Sequence, residues 1–187
     1  MTTNSCVKMD ITNLCSKELI TPIGKLLIVG SPRGICRIYF ATDKDAWANK
    51  HGSPVLDEDI RGILSQATEQ LTDYFNGRGE NLNVLLDLQG TSFQLKVWRQ
   101  LLKIPHGCTV SYGKIARAIG NPRASQAVGS AVGRNPVPIM VPCHRVIGCN
   151  GLLVGFRGGL PVKKKLLELE GVRVRRGSVV SYKDCNW

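Results

Sequence analysis

No stretch of this 187-residue chain approaches the run of about 18 apolar residues that a membrane span needs, and no basic-then-apolar leader opens it. These absences point to a protein that stays where it is made, cytoplasmic or, in a eukaryote, nuclear. The seven cysteines are odd in number (Cys6, Cys15, Cys36, Cys108, Cys143, Cys149 and Cys185), and no two stand in a C-x-x-C pair. A disulfide framework and a zinc ribbon are therefore not expected, and reduced thiols are. Three scattered histidines, His51, His106 and His144, suggest no metal cluster. Acidic residues are scarce in one half only. Residues 1–90 hold 9 Lys and Arg against 11 Asp and Glu, whereas residues 91–187 hold 16 against 3. The whole net charge of +11 thus comes from the second half, which calls for a polyanionic partner. Nucleic acid is the first reading and an acidic membrane surface the alternative.

What the chain does contain centres on Pro142-Cys143-His144-Arg145, a cysteine beside an imidazole at the end of a stiff apolar run, residues 135–141. Pro136, Pro138 and Pro142 fix their own φ and bias the preceding residues toward extended backbone, so Cys143 is presented from an inflexible support. A free cysteine with a pKa of about 8.5 is only roughly 3 % thiolate at pH 7, and a base with a nearby positive charge would raise that fraction. A buried structural thiol is the competing reading of the same pair.

In the first half, residues 24–30 and 35–40 flank Ser31-Pro-Arg-Gly34 and read as a hairpin. The first sixteen residues read as a loose lead-in. Apolar positions from Ile60 to Phe75 share one helical face, with Asn76-Gly77 as the stop, and residues 82–88 read as a further strand. This half looks like a small α/β unit without chemistry of its own, ending near Gln89-Gly90. Beyond it, Thr91-Ser-Phe-Gln94 resembles a capping box before an amphipathic helix that ends at Pro105. Ser111 caps a short helix through Ile119, and Asn121-Pro122-Arg123 turns the chain into a second, residues 124–132. That is the outline of a helix-turn-helix. The second helix is built of small residues, which suits close approach to a DNA backbone or minor groove, or equally a tightly packed core. Pro161 opens a last helix to Glu170, with Lys163, Lys164 and Lys165 in its first turn, where the helix dipole disfavours cations and an anionic partner would favour them. The remaining tail carries little signal. The domain expectation is 1–90, 91–173 and a basic tail, 174–187.

With these residues assembled, the sequence resembles the O6-alkylguanine-DNA alkyltransferase family. The resemblance rests on Pro142-Cys-His-Arg-Val146, Phe93-Gln94 with Val97-Trp98, Ile104-Pro-x-Gly107, Val110-Ser-Tyr-Gly113, Ala127-Val-Gly129, Asn135-Pro-Val-Pro138 and Gly158-Gly-Leu160, in that family's order. It is strong over residues 92–171. In the first half it is weaker, carried by Thr21-Pro-Ile-Gly-Lys25 and Tyr74-Phe-Asn-Gly77.

The resemblance implies a ribonuclease-H-like α/β N-terminal domain, a mainly helical C-terminal domain with the helix-turn-helix, and no cofactor or metal. It implies direct reversal of DNA damage, in which Cys143 takes the alkyl group from O6 of a flipped guanine, or O4 of thymine, and is consumed. His144 would be the base acting through water, Glu170 its orienting carboxylate, Tyr112 the proton donor to guanine, and Asn135 the brace of the active-site turn. Val146, Leu153, Gly155, Phe156, Arg157 and Gly158 would line or close the guanine pocket. Ser111, Tyr112, Arg123, Ala124, Ser125, Gln126, Ala127, Gly129 and Arg134 would meet double-stranded DNA, mainly through its backbone and minor groove, as a monomer away from any membrane.

Two positions depart from the family's pattern. Gln126 stands where many members have an arginine that fills the gap in the base stack, and Arg157 stands where a small residue is common. Slower repair of duplex DNA is expected from the first, and Gly158 leaves room for bulky alkyl groups. Zinc ligands that some members carry near the N-terminus are not matched. A lesion-binding protein of the same fold would lack Cys143. A transcription factor would need larger side chains on its second helix, and a thiol hydrolase usually has its histidine far off in sequence.

Overall fold

The computed structural model describes residues 14–43, 58–80 and 82–181. Most of the expected lead-in and the last six residues lie outside them.

Strands β1 (Cys15–Thr21), β2 (Gly24–Ser31) and β3 (Gly34–Phe40) form an antiparallel meander. Both faces of β2 are covered. Leu26 and Ile28 point into the main core, while Leu27 and Val29 pack with Leu14, Cys36 and Tyr39 on the other side, as the two-residue period of a strand requires. Helix α1 (Glu58–Phe75) lies across the main-core face. Gly30 permits its close approach, since a Cβ there would stand 3.2 Å from Ile60. Strand β1 escaped the sequence reading because it is an edge strand whose middle, Lys17 and Glu18, faces solvent.

Residues 82–88 do not form the expected strand. They make one parallel bridge, Leu86 to Ile35, through Ile35 N–H to the Leu85 carbonyl (2.8 Å) and Asp87 N–H to the Ile35 carbonyl (2.9 Å). The ladder stops because the edge of β3 is taken farther along: Ile38 N–H donates to the Pro136 carbonyl at 2.9 Å. The proline run is thereby seated on the N-terminal sheet.

Helix α2 (Ser92–Leu101) starts with the full capping box. Gln94 N–H donates to Thr91 Oγ1 (3.2 Å), and Thr91 N–H donates to Gln94 Oε1 (2.8 Å). It ends at Leu101, one turn short of Pro105. A two-residue strand, β4 (Val110–Ser111), leads into α3 (Tyr112–Ala118), capped by Ser111, and then α4 (Ser125–Gly133). After a single 3-10 turn, Cys143–Arg145, strand β5 (Val146–Ile147) pairs in parallel with β4. That pairing sets the start of α3 beside the cysteine turn.

Helix α5 (Leu160–Leu169) follows, and then the expected tail proves to be a hairpin, β6 (Arg173–Arg175) and β7 (Ser178–Ser181). Its two-residue turn, Arg176-Gly177, has both φ positive (48° and 76°). Val174 and Val179 pack with Ile147, Leu153, Leu167 and Val172, so this segment belongs to the body of the second half. Cys108 is disulfide-bonded, against the expectation of reduced thiols, whereas Cys15, Cys36, Cys143 and Cys149 are free.

Trp98 ties α2 to α4 by donating from Nε1 to the Ala131 carbonyl (2.9 Å). Gly90 lies against its ring, where a Cβ would come within 2.7 Å of two ring carbons. Gly90→Ala is therefore expected to destabilise the fold by about 1–3 kcal/mol through overpacking. Urea unfolding checks this, and an unchanged midpoint would contradict the packing described.

Candidate active site

The turn that carries the cysteine is held from both sides. Asn135, 2 % exposed, donates from Nδ2 to the Val141 carbonyl (2.8 Å) and accepts Val137 N–H at Oδ1 (3.0 Å). Its one side chain closes the proline run into a loop. Within that loop Ile139 has φ 77°, a conformation a β-branched residue adopts only when its surroundings impose it. Cys143 N–H then donates to the Val141 carbonyl at 2.7 Å.

Behind the cysteine stands a buried carboxylate that accepts five hydrogen bonds. Glu170 Oε1 is 2.7 Å from His144 Nε2, accepts Tyr74 Oη–H at 2.7 Å, and accepts Arg145 Nη2 at 2.9 Å. Glu170 Oε2 accepts Arg145 Nε at 2.9 Å and Gly107 N–H at 3.1 Å. Burial alone would raise this carboxyl, but His144 and the Arg145 guanidinium hold it well below the usual carboxylate range. Burial, helped by the charges of Arg145 and Lys163 and opposed by Glu170, pushes His144 below the ordinary imidazole value. A neutral His144 facing an ionised carboxylate carries its hydrogen on Nε2, which leaves the Nδ1 lone pair free. Nδ1 is buried and has no hydrogen-bond partner among the described residues.

Arg145 is turned onto Glu170, and the cation that bears on Cys143 is Lys163. The sequence pattern placed Lys163 on an exposed first turn. Instead it is fully buried, with Nζ donating to the carbonyls of Val146 (2.6 Å), Val154 (2.8 Å) and Gly155 (3.4 Å). Burial brings its pKa down to about 8, with the Cys143 charge opposing. The Cys143 thiol itself is raised by burial, although an Asn135 hydrogen bond and Lys163 pull the other way. Burial thus favours the thiol at rest, where a base and a nearby positive charge alone would raise the thiolate fraction.

Cys143 opens onto a cavity of about 790 Å³, walled by Tyr112, Asn135, Val154, Gly155, Phe156 and Arg157 and bordered by α4 through Ser125, Gln126 and Gly129. Three expected pocket residues do not line it. Val146 is fully buried in the core, and Leu153 packs under the β6–β7 hairpin. Gly158 lies against the rings of Phe40 and Phe156, where a Cβ would stand at 3.2 Å, so a larger residue there presses first on those rings. The wall is instead fastened to the N-terminal sheet. Phe156 meets Phe40 edge-on at 5.6 Å, and Arg157 pairs with Asp43 (3.2 Å) and lies over the Tyr39 ring (5.4 Å). Val154 and Cys149 also border the cavity and were not among the expected residues. Tyr112 Oη donates across it to the Val154 carbonyl at 3.2 Å, and burial followed by the Cys143 charge raises its pKa, which keeps the phenol protonated.

The small-residue helix is only half a core helix. Val128, Ala131 and Val132 are buried, whereas Gln126, Ala127 and Ser130 are exposed beside the cavity mouth. Ala124, Ser125 and Gly129 are half-buried, and Gly129 leaves the Tyr112 ring in ordinary contact distance. Arg123 and Arg134 are exposed at the two ends of the helix, and the Ser111 hydroxyl is engaged as the α3 cap, accepting Lys114 N–H.

Residues 92–172 match the family described as 6-O-methylguanine DNA methyltransferase, DNA binding domain, and residues 19–88 match its ribonuclease-like domain. The methylated-DNA–protein-cysteine methyltransferase of Methanosarcina acetivorans is 44% identical over 157 residues, covering 81% of this chain and 94% of that protein. A crystal structure of Mycobacterium tuberculosis O6-methylguanine methyltransferase superposes with a TM-score of 0.76 at 42% identity, covering 87% of this chain and 96% of that one. The M. tuberculosis protein in complex with DNA gives 0.74 at 43% identity, covering 83% and 91%. A buried Cys-His-Glu series opening beside a helix-turn-helix, on a chain matched in both halves, establishes that this protein belongs to the 6-O-methylguanine DNA methyltransferase family.

Proposed function

We infer that the protein repairs alkylated DNA by direct reversal, moving the alkyl group from O6 of guanine to Cys143 Sγ once per molecule. The observation that carries this reading is the position of Cys143: at a cavity bordered by the small-residue helix, with His144 and Glu170 directly behind it.

The thiol proton passes to the free Nδ1 of His144 through one water, and Glu170 stabilises the imidazolium that forms. Lys163 sets its positive charge against the sulfur as negative charge develops there. Sγ attacks the alkyl carbon in line as the C–O6 bond breaks, and the bonding electrons return to the guanine ring. Tyr112 leaves the Val154 carbonyl and donates its proton to that ring, and the proton held on His144 returns through water to the Tyr112 oxygen, so the proton lost by sulfur is balanced by the one gained by guanine. The product is a thioether, a bond that no group in the site reverses, which accounts for a single turnover.

The alkyl carbon cannot be reached inside a stacked duplex, so the nucleotide is turned out into the cavity, at a few kcal/mol. The exposed small-residue face of α4 is suited to the minor groove, and Arg123 and Arg134 at its ends to phosphates. Gln126, which borders the cavity, is the side chain that would fill the gap in the stack. The cavity admits alkyl groups larger than methyl, O6-alkylguanine is the substrate, and the protein acts as a monomer.

Incubation with excess duplex DNA bearing one O6-methylguanine is expected to add a single methyl group to the intact mass, and Cys143→Ala to gain none. An unchanged wild-type mass with DNA binding retained would replace this reading with lesion recognition alone. Gln126→Arg, which supplies the missing charge and stacking plane, is expected to speed transfer from duplex DNA about tenfold, roughly 1.4 kcal/mol, while leaving reaction with free O6-benzylguanine unchanged. Equal duplex rates in single-turnover assays would contradict the part given to Gln126.

A further inference from the structure

Among the described residues, the N-terminal half reaches the Glu170 carboxylate through one side chain. Tyr74 lies in the last turn of α1, is 1 % exposed, and donates its hydroxyl to Glu170 Oε1 at 2.7 Å, across 96 residues of sequence. His144 Nε2 meets that same oxygen at the same distance. The phenol ring is fixed edge-on by Phe75 (5.3 Å) and His106 (6.2 Å), so the hydroxyl is aimed and not free to rotate away. Burial, then the Glu170 charge, raises the Tyr74 pKa, and the group is a hydrogen-bond donor throughout the working range.

We propose that Tyr74 is a positioning residue for alkyl transfer: by sharing Glu170 Oε1 with His144 it limits how strongly the carboxylate holds a proton on the imidazole, and so keeps His144 available as the base. This rests on the reading of His144 given above. A hydrogen bond donated to a carboxylate stabilises the ionised form and draws charge from the oxygen that accepts it. Without the Tyr74 donor, Oε1 turns more fully to His144 and favours the imidazolium. His144 then keeps its proton to a higher pH. The other charged or titratable groups bearing on His144 are Arg145 on its own turn, Lys163 and Glu170 from α5 and its end, and Cys143 beside it, with His106 packed on the Tyr74 ring. Tyr74→Phe alters none of them chemically and keeps the ring.

The test is the pH dependence of single-turnover methyl transfer. Tyr74→Phe is expected to move the acid limb up by about half to one pH unit, which is a three- to tenfold slower transfer well below the midpoint and convergence with wild type above it. Site-specific replacement of Tyr74 by a fluorotyrosine, a stronger donor of the same shape, is expected to move the limb down, and it supplies the comparison if the phenylalanine variant folds poorly. A uniform loss of rate in both variants with no shift of the limb would overturn the proposal and leave Tyr74 a packing residue. If wild-type protein transfers no methyl group at any pH, it is the proposed function that has failed. The His144 imidazole titration, followed by NMR in DNA-free protein, then decides the inference alone, with a higher midpoint in Tyr74→Phe supporting it and an equal one ending it.

Discussion

The structure depends on one buried negative charge. Glu170 closes α5 with a side chain wholly removed from solvent, and its two oxygens accept from Tyr74 in the first half, from Gly107 after α2, and from His144 and Arg145 on the cysteine turn. A carboxylate moved out of water loses several kcal/mol of hydration, and only a full set of donors offsets that. The donors come from separate parts of the chain, so satisfying the charge fixes where those parts lie. The arrangement that completes the fold also leaves His144 neutral with one ring nitrogen free.

The chemistry follows from how burial acts on each group. It raises the Cys143 thiol, lowers His144 and lowers Lys163 to about 8, so the resting site carries a thiol, a base able to take its proton and a lysine that stays mostly charged at neutral pH. A protonated thiol with its base at hand suits a nucleophile that reacts once. The backbone contributes as well. The carbonyls of Val146, Val154 and Gly155 hold Lys163, and two of those residues, Val154 and Gly155, border the cavity, so the charge and the pocket wall are set by the same contacts.

What was legible in the sequence was local. The capping box of Thr91 and Gln94, the Ser111 cap and the opening of α5 near Pro161 each need only a few neighbouring residues, and each is found where the pattern put it. The family membership was legible too, through motifs strung along residues 92–171. The rest depends on contacts between distant residues. Lys163 looked like a surface lysine because its partners are carbonyls 8 to 17 residues away, which no side-chain pattern records. The first half looked free of chemistry. Yet Tyr74 reaches Glu170, Ile38 holds Pro136, Phe40 backs Phe156 and Asp43 pairs with Arg157. The β6–β7 hairpin passed for a tail because Arg173, Arg175 and Arg176 mask the two valines that anchor it.

The most direct test of Glu170 as the shared support of fold and chemistry is Glu170→Gln, read twice on the same preparation. One reading is urea unfolding and the other the single-turnover rate of methyl transfer at neutral pH. Leaving the Arg145 guanidinium buried without its counter-charge is expected to lower stability by about 3–5 kcal/mol, and the transfer rate is expected to fall with it when measured on the folded fraction. A variant as stable and as fast as the wild type would show that the buried carboxylate organises neither.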